Sequence, residues 1–162
     1  MNEKIFKALN EQIKHEFYSA YLYLSMASYF ETIPLEGFSK WFRKQSQEEY
    51  SHGMKIYDYI IDRNCHVDLQ AIEKPPVAFN SIEDVFQQAL NHEQKVTSLI
   101  HQLYDLAIQE GDHATRVFLH WFIEEQVEEE KNANDNLDQV KFNGDDRAGL
   151  FVLDQNFSKR VD

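Results

Sequence analysis

The sequence predicts an all-α protein: a four-helix bundle with one long crossover and a short fifth helix. Three observations carry this. Four segments of roughly 28 residues each hold apolar side chains at helical spacing. Helix breakers separate them: Thr32-Ile33-Pro34, Gly111-Asp112 and Asn143-Gly144. Only the middle connection is long, 16 residues from Cys65 to Asn80 with Pro75-Pro76 inside it. Five Gly and three Pro among 162 residues, 43% of them hydrophobic, argue against disorder and against a turn-rich β protein. The chain, 1–162, is expected to form one domain, with the bundle over about 3–141 and the fifth helix over about 148–157.

The first helix is expected from Glu3 to Glu31, on the stripe Ile5, Leu9, Ile13, Phe17, Ala20, Leu24 and Ala27. Pro34 blocks its continuation but suits the first turn of a new helix. The second runs from Leu35 to Arg63 and carries Phe38, Trp41, Phe42, Ile56, Tyr59 and Ile60. The third starts near Ser81, where Asn80 followed by Glu83 reads as a capping box, and reaches Gln109 before Gly111. Asp112 can cap the fourth, from His113 to Lys141.

Loop length then selects topology. Tight first-to-second and third-to-fourth connections make each pair an antiparallel hairpin. The middle linker can stretch roughly 50 Å, against about 43 Å for a 29-residue helix. It can therefore cross the whole bundle, leaving the second and third helices parallel; a simple up-down bundle has no use for so long a loop.

Twenty-eight acidic against sixteen basic residues give a formal charge of −12. Nucleic acid and anionic membranes are poor partners for such a chain, and metal cations are good ones. The N-terminus, Met1-Asn2-Glu3-Lys4-Ile5-Phe6-Lys7, has no apolar signal region. No apolar stretch is long enough to span a membrane, so a cytoplasmic protein is expected. Cys65 is the only cysteine, which leaves no internal disulfide and no Cys-x-x-Cys metal knuckle. Packing at a helix end is its expected role.

A register repeats within the chain. His15-Glu16 is followed 33 residues later by Glu49, with His52 three beyond. His92-Glu93 is followed 33 residues later by Gln126, with Glu129 three beyond; the two sets lie 77 positions apart. Glu49 and His52 share one helix face, and the stripe through 38, 42, 45, 49, 52, 56 and 59 is otherwise largely apolar. A carboxylate on a core face is costly without a positive partner, and a metal ion supplies one. Glu16 lies among Ile13, Phe17 and Ala20, Glu93 among Leu90, Val96 and Ile100, and Gln126 and Glu129 continue the stripe of Phe122. A lone Glu-x-x-His is usually a solvated pair; four helices supplying core-facing polar groups in a repeated register are not.

With these stretches the chain resembles bacterial non-haem ferritins. His15-Glu16-Phe17-Tyr18-Ser19, Gln47-Glu48-Glu49-Tyr50-Ser51-His52, His92-Glu93-Gln94 and the run from Trp121 to Lys131 carry the resemblance, which covers essentially the whole length. It implies a ferritin-like fold and the known ligand placement of di-iron carboxylate bundles. Glu16, Glu49 and His52 would hold a first iron, Glu49 bridging to a second completed by Glu93 and Glu129. Gln126 would be a weak ligand or hydrogen-bonding group there. Glu48, Glu125, Glu128 and Glu129 would supply a third iron site, while Glu124 and Glu130 read as solvated. Tyr23 matches a tyrosine that hydrogen-bonds a ligand and can donate an electron; for Trp121 core packing is the preferred reading. Tyr50 stands where bacterioferritins carry a haem-binding Met, so no haem is expected. A rubrerythrin-type Cys module is absent, as is the His pair that miniferritins carry on the first helix.

The implied function is iron storage with ferroxidase activity. Ferrous iron would be oxidised by dioxygen or hydrogen peroxide and stored as ferric mineral in a hollow 24-subunit cage, with the fifth helix near the four-fold axes. Two rivals use the same bundle: a non-catalytic metal-binding cage, and a small di-iron or di-manganese oxidase. The remaining histidines, 15, 66, 92, 101, 113 and 120, read as surface or packing residues.

Overall fold

Five helices order residues 1–160, the span described by this computed structural model; positions 161 and 162 of the expected 1–162 unit lie outside the described residues. They are α1 (Glu3–Glu31), α2 (Glu36–Asp62), α3 (Ile82–Gln109), α4 (His113–Asn143) and α5 (Arg147–Phe157). Among the described residues there is no strand, and no helix is long and apolar enough to cross a membrane.

The caps explain where the helices start. Asn2 accepts from the Lys4 N–H, and Asp112 accepts from the Thr115 N–H as expected. The α3 box sits one residue later than the sequence suggested. Ser81, in extended conformation, accepts from the Asp84 N–H at 3.0 Å, and the Asp84 carboxylate accepts from the Asn80 N–H at 2.9 Å. Asn80 and Glu83 are thus not the capping pair: only from position 81 does a side-chain oxygen reach the third N–H of this helix.

One core assignment on α1 is also corrected. Leu24 is exposed, and Leu22, Tyr23, Met26 and Phe30 take the inner face beyond Glu16. Successive four-residue steps from Ile5 to Phe17 drift by about 40° each at 3.6 residues per turn. The stripe extended to Leu24 has therefore rotated off the core.

Long-range contacts fix the topology. Tyr59 on α2 meets Thr115 on α4, whereas Gln45, nearer the α2 start, meets Glu129. So α2 and α4 run antiparallel. Tyr104 meets His120 and Gln126 meets Glu93, which makes α3 antiparallel to α4 and parallel to α2, as the linker length implied. The crossover rides along α1: Asp68 N–H donates to Asn10, the Pro76 carbonyl accepts from Ser25, and Phe79 packs on Tyr29. Cys65 is half-buried just past the end of α2 and packs against the apolar cluster that includes Ile56, Ile60 and Ile100.

Two apolar cores result. One is aromatic, around Phe30, Phe38, Phe42, Phe86 and Phe157; the other is mainly aliphatic, around Ile5, Leu9, Ile56, Ile60, Ile100 and Leu119. Between them lies a buried polar layer that includes Glu16, Gln45, Glu49, His52, Glu93, Gln126 and Glu129.

The fifth helix is tied to the start of α2. Leu35 offers α2 no side-chain cap; instead buried Asp154 of α5 accepts from the Phe38 N–H at 2.9 Å. That approach needs Gly37, because a Cβ there would sit 1.8 Å from the Asp154 carbonyl oxygen. Gly37→Ala is therefore expected to push α5 off α2, costing roughly 2–4 kcal/mol from overpacking and the lost cap. Thermal unfolding would show it as a lowered Tm, and an unchanged Tm would refute this account of the junction.

Candidate metal centre

At mid-bundle the two pairs of helices turn acidic side chains toward one another. Glu16 is 1% exposed, Glu49 and Glu93 2%, His52 5% and Glu129 6%. Three clusters have ligand atoms all within 4.8 Å of one another: Glu16, Glu49 and His52; Glu49, Glu93 and Glu129; and His52, Glu125 and Glu129. Glu49 belongs to the first two, the position of a bridging carboxylate. The structure thus brings together every residue expected at the two paired positions, Gln126 included.

Burial and like charge set the electrostatics of this layer. Burial pushes the Glu16 carboxyl up to about 7 despite the opposing hydrogen bond from Gln12. Burial and the neighbouring Glu93 push Glu129 up to about 8, and burial also raises Glu93. Glu49 is held well above its ordinary range by burial and by Glu93, Glu16 and Glu129. None of the ion pairs between described residues places a lysine or arginine on these four carboxyls. Glu16 Oε2 is buried without a hydrogen-bond partner. An orphaned, buried carboxylate oxygen aimed into such a cluster is what a metal ligand looks like before the metal is counted. Burial and then Lys55 lower His52 to about 4, so its imidazole is neutral at physiological pH and free to donate a lone pair. Its Nδ1 lies 3.4 Å from Glu49 and its Nε2 3.7 Å from Glu125. Oxygen ligands with one imidazole suit iron in both its oxidation states.

Gln126 behaves as a hydrogen-bond donor. Its Nε2 faces the Glu93 carboxylate at 3.2 Å, the Glu93 carbonyl at 3.3 Å and Thr97 at 3.2 Å. The Tyr23 hydroxyl donates to Glu93 Oε1, and burial with that neighbouring charge raises the phenol well above its ordinary value. The Trp121 ring stands edge-on to His52 at 5.3 Å and carries Lys55 Nζ at 4.3 Å from its centre.

The expected third set is only partly assembled. Glu125 and Glu129 converge, with His52 as their neighbour. Glu128 is exposed, and Glu48 is paired with Arg160. Both charges still act on Glu125, whose carboxyl is raised by burial, Glu128 and Glu48.

Several supporting residues were missed from sequence. Gln12 donates to Glu16 at 2.8 Å; Gln45 donates to Glu49 at 3.2 Å and to Glu129 at 2.7 Å. The signal was present as Gln-x-x-x-Glu on both α1 and α2, an i,i+4 pair each time. Positions 77 residues on hold Ala89 and Phe122, so this support belongs to the first half alone. His92 is a packing residue as expected, 2.7 Å from Ser19 and against Tyr18 and Tyr23. Gly53 admits the Phe17 ring, which a Cβ would meet at 2.4 Å.

Fold and site together define a class: an antiparallel-hairpin bundle with one long crossover, carrying carboxylate–histidine clusters at its waist. The family model for the ferritin-like domain matches residues 6–142, and the chain belongs to the ferritin family. It is 38% identical to a bacterial non-heme ferritin of Staphylococcus aureus, covering 99% of this chain and 97% of the relative. It is 41% identical to that of Staphylococcus saprophyticus, over 99% and 96%. Among solved structures, an open-pore ferritin from the hyperthermophilic archaeon Archaeoglobus fulgidus superposes with a TM-score of 0.98 at 47% identity, covering 99% of both chains. An engineered closed form of that ferritin superposes equally well at 48% identity.

Proposed function

We propose that this protein is a ferroxidase and iron-storage subunit of the cytoplasm. The observation that carries the reading is the waist cluster: four buried carboxyls and a neutral imidazole converge, and no ion pair between the described residues sets a lysine or arginine on those carboxyls. Ferrous iron is the substrate. Glu16, Glu49 and His52 bind one ion, and Glu49, Glu93 and Glu129 bind a second. Two ferrous ions give up one electron each, and dioxygen with two protons leaves as hydrogen peroxide; peroxide can serve as oxidant in its turn. Gln126, a neutral donor to Glu93 in place of an anionic ligand, leaves the second position the weaker one, suited to passing ferric iron on. Glu125 and Glu129 are the assembled part of an inner station toward the mineral, which Glu48 and Glu128 complete when they turn in.

Storage needs an enclosed volume, so the subunits assemble, in our reading into a 24-subunit cage. Exposed apolar surface supports self-association: Tyr21, Leu24, Tyr50 and Ile72 form one groove, and Phe142, 96% exposed, lines a second hollow with Val152. The test is dioxygen uptake after ferrous iron is added to size-fractionated protein. Rapid uptake near one dioxygen per about two irons, in a large assembly only, is expected for paired one-electron donors. Activity confined to a monomer or dimer would favour the small oxidase, and no protein-dependent uptake would leave a passive cage.

A further inference from the structure

We propose that Arg160 gates the inner carboxylate station: its guanidinium occupies Glu48 and, through Gln45, orients Glu49 and Glu129, and it must release Glu48 before a further cation can be held there. The proposal rests on the metal-centre reading above and adds to it a residue that neither pattern nor spacing singled out.

The path to Arg160 is well determined by packing. Asp154 is bonded to the start of α2, and the Phe157 ring lies 4.8 Å from Phe38. Beyond α5 the chain makes one more turn, the Arg160 N–H reaching the Phe157 carbonyl. This delivers the guanidinium to α2, 4.7 Å over the Trp41 ring. There it forks across two residues three apart on one helix face. Nη1 donates to Gln45 Oε1 at 2.8 Å, and Nη2 donates to Glu48 Oε2. A planar guanidinium spans two such acceptors; a lysine ammonium is a point charge without that geometry.

Two consequences follow for the site. First, Gln45 is buried, and its amide has distinguishable ends. With Oε1 taken by Arg160, Nε2 is directed at Glu49 and Glu129, so one residue of the C-terminal segment sets the donor facing two ligands of the centre. Second, Glu48 is drawn to a protein cation, whereas Glu125 and Glu129 lie with His52. A positive guanidinium on Glu48 both removes one oxygen ligand and repels an incoming cation. The pair is not locked: the Arg160 and Glu48 side chains are 23% and 35% exposed, a range in which ion pairs exchange readily.

The test uses the full-length assembled protein and Zn2+, which follows the ligands without redox chemistry. Calorimetric titration of wild type should show the paired positions filling first and a weaker inner position after them. In Arg160→Ala the inner position should tighten by about tenfold, as expected for removing one adjacent charge at a partly screened site. Arg160→Lys, which keeps the charge but not the fork, should tighten it by less than Arg160→Ala does, and Arg160→Ala combined with Glu48→Gln should lose the gain. A residue that only fastens the C-terminal segment would lower Tm and leave these affinities alone. Paired binding intact with the inner affinity unchanged, or with no inner binding in either protein, would overturn the gate. Failure of wild type to bind Zn2+ at the paired positions would overturn the metal-centre reading, and the gate with it.

Discussion

Glu49→Gln is expected to slow ferrous oxidation at least about a hundredfold, since Glu49 is the carboxylate shared by both proposed metal positions. The same change should raise the Tm of the metal-free protein above neutral pH. Glu49 is crowded by like charges, facing Glu93, Glu16 and Glu129 in a buried site. A neutral amide of equal shape keeps the Gln45 contact and removes that repulsion. Loss of activity and gain of stability in one variant is the mark of a residue kept for function against the preference of the fold. Stopped-flow iron oxidation and calorimetry check the two halves. An active Glu49→Gln enzyme would end the assignment of Glu49 as bridge, and a lower Tm would show that its charge is satisfied in the metal-free state.

The second large effect is on pH and metal. Glu16 and Glu129 have ordinary values of 4.5 and are raised to about 7 and about 8 by burial. Between those limits the folded, metal-free protein holds more protons than the unfolded chain. The stability these groups allow is fully present below 4.5 and is lost as the pH climbs through 7 and 8. Metal binding displaces those protons, so a divalent cation should stabilise little in acid and most at the alkaline end. We expect the metal-free Tm to fall by several degrees between about pH 5.5 and pH 8, and saturating Zn2+ to restore it. Calorimetry with and without chelator decides; a Tm that is flat or rising across this window, with Zn2+ equally effective throughout, would contradict the raised carboxyls.

The helices, their order and the crossover were legible because each rests on local chemistry: periodicity, breakers and the reach of a chain. The buried polar residues proposed for the paired positions were legible for a related reason. Glu16, Glu49, His52, Glu93 and Glu129 sit on stripes whose other members are apolar, so they announce themselves as misplaced. Gln12 and Gln45 were not read, since neutral amides on a helix raise no such alarm. Arg160 could not have been read at all: 115 residues separate it from Gln45, and only the docking of α5 brings them together. Leu24 and the Ser81 cap show the limit of local reading, where one residue of register changes which side chain faces inward.

The separation of the aromatic core from the aliphatic one carries a consequence for how such a protein can change. Each core closes on residues from all four long helices and makes its own seal, so neither depends on the chemistry of the layer between them. Donor identity at the waist can therefore drift, by mutation or by design, toward another ion or toward no ion, while the scaffold above and below stays intact. The waist layer is a replaceable insert between two apolar seals.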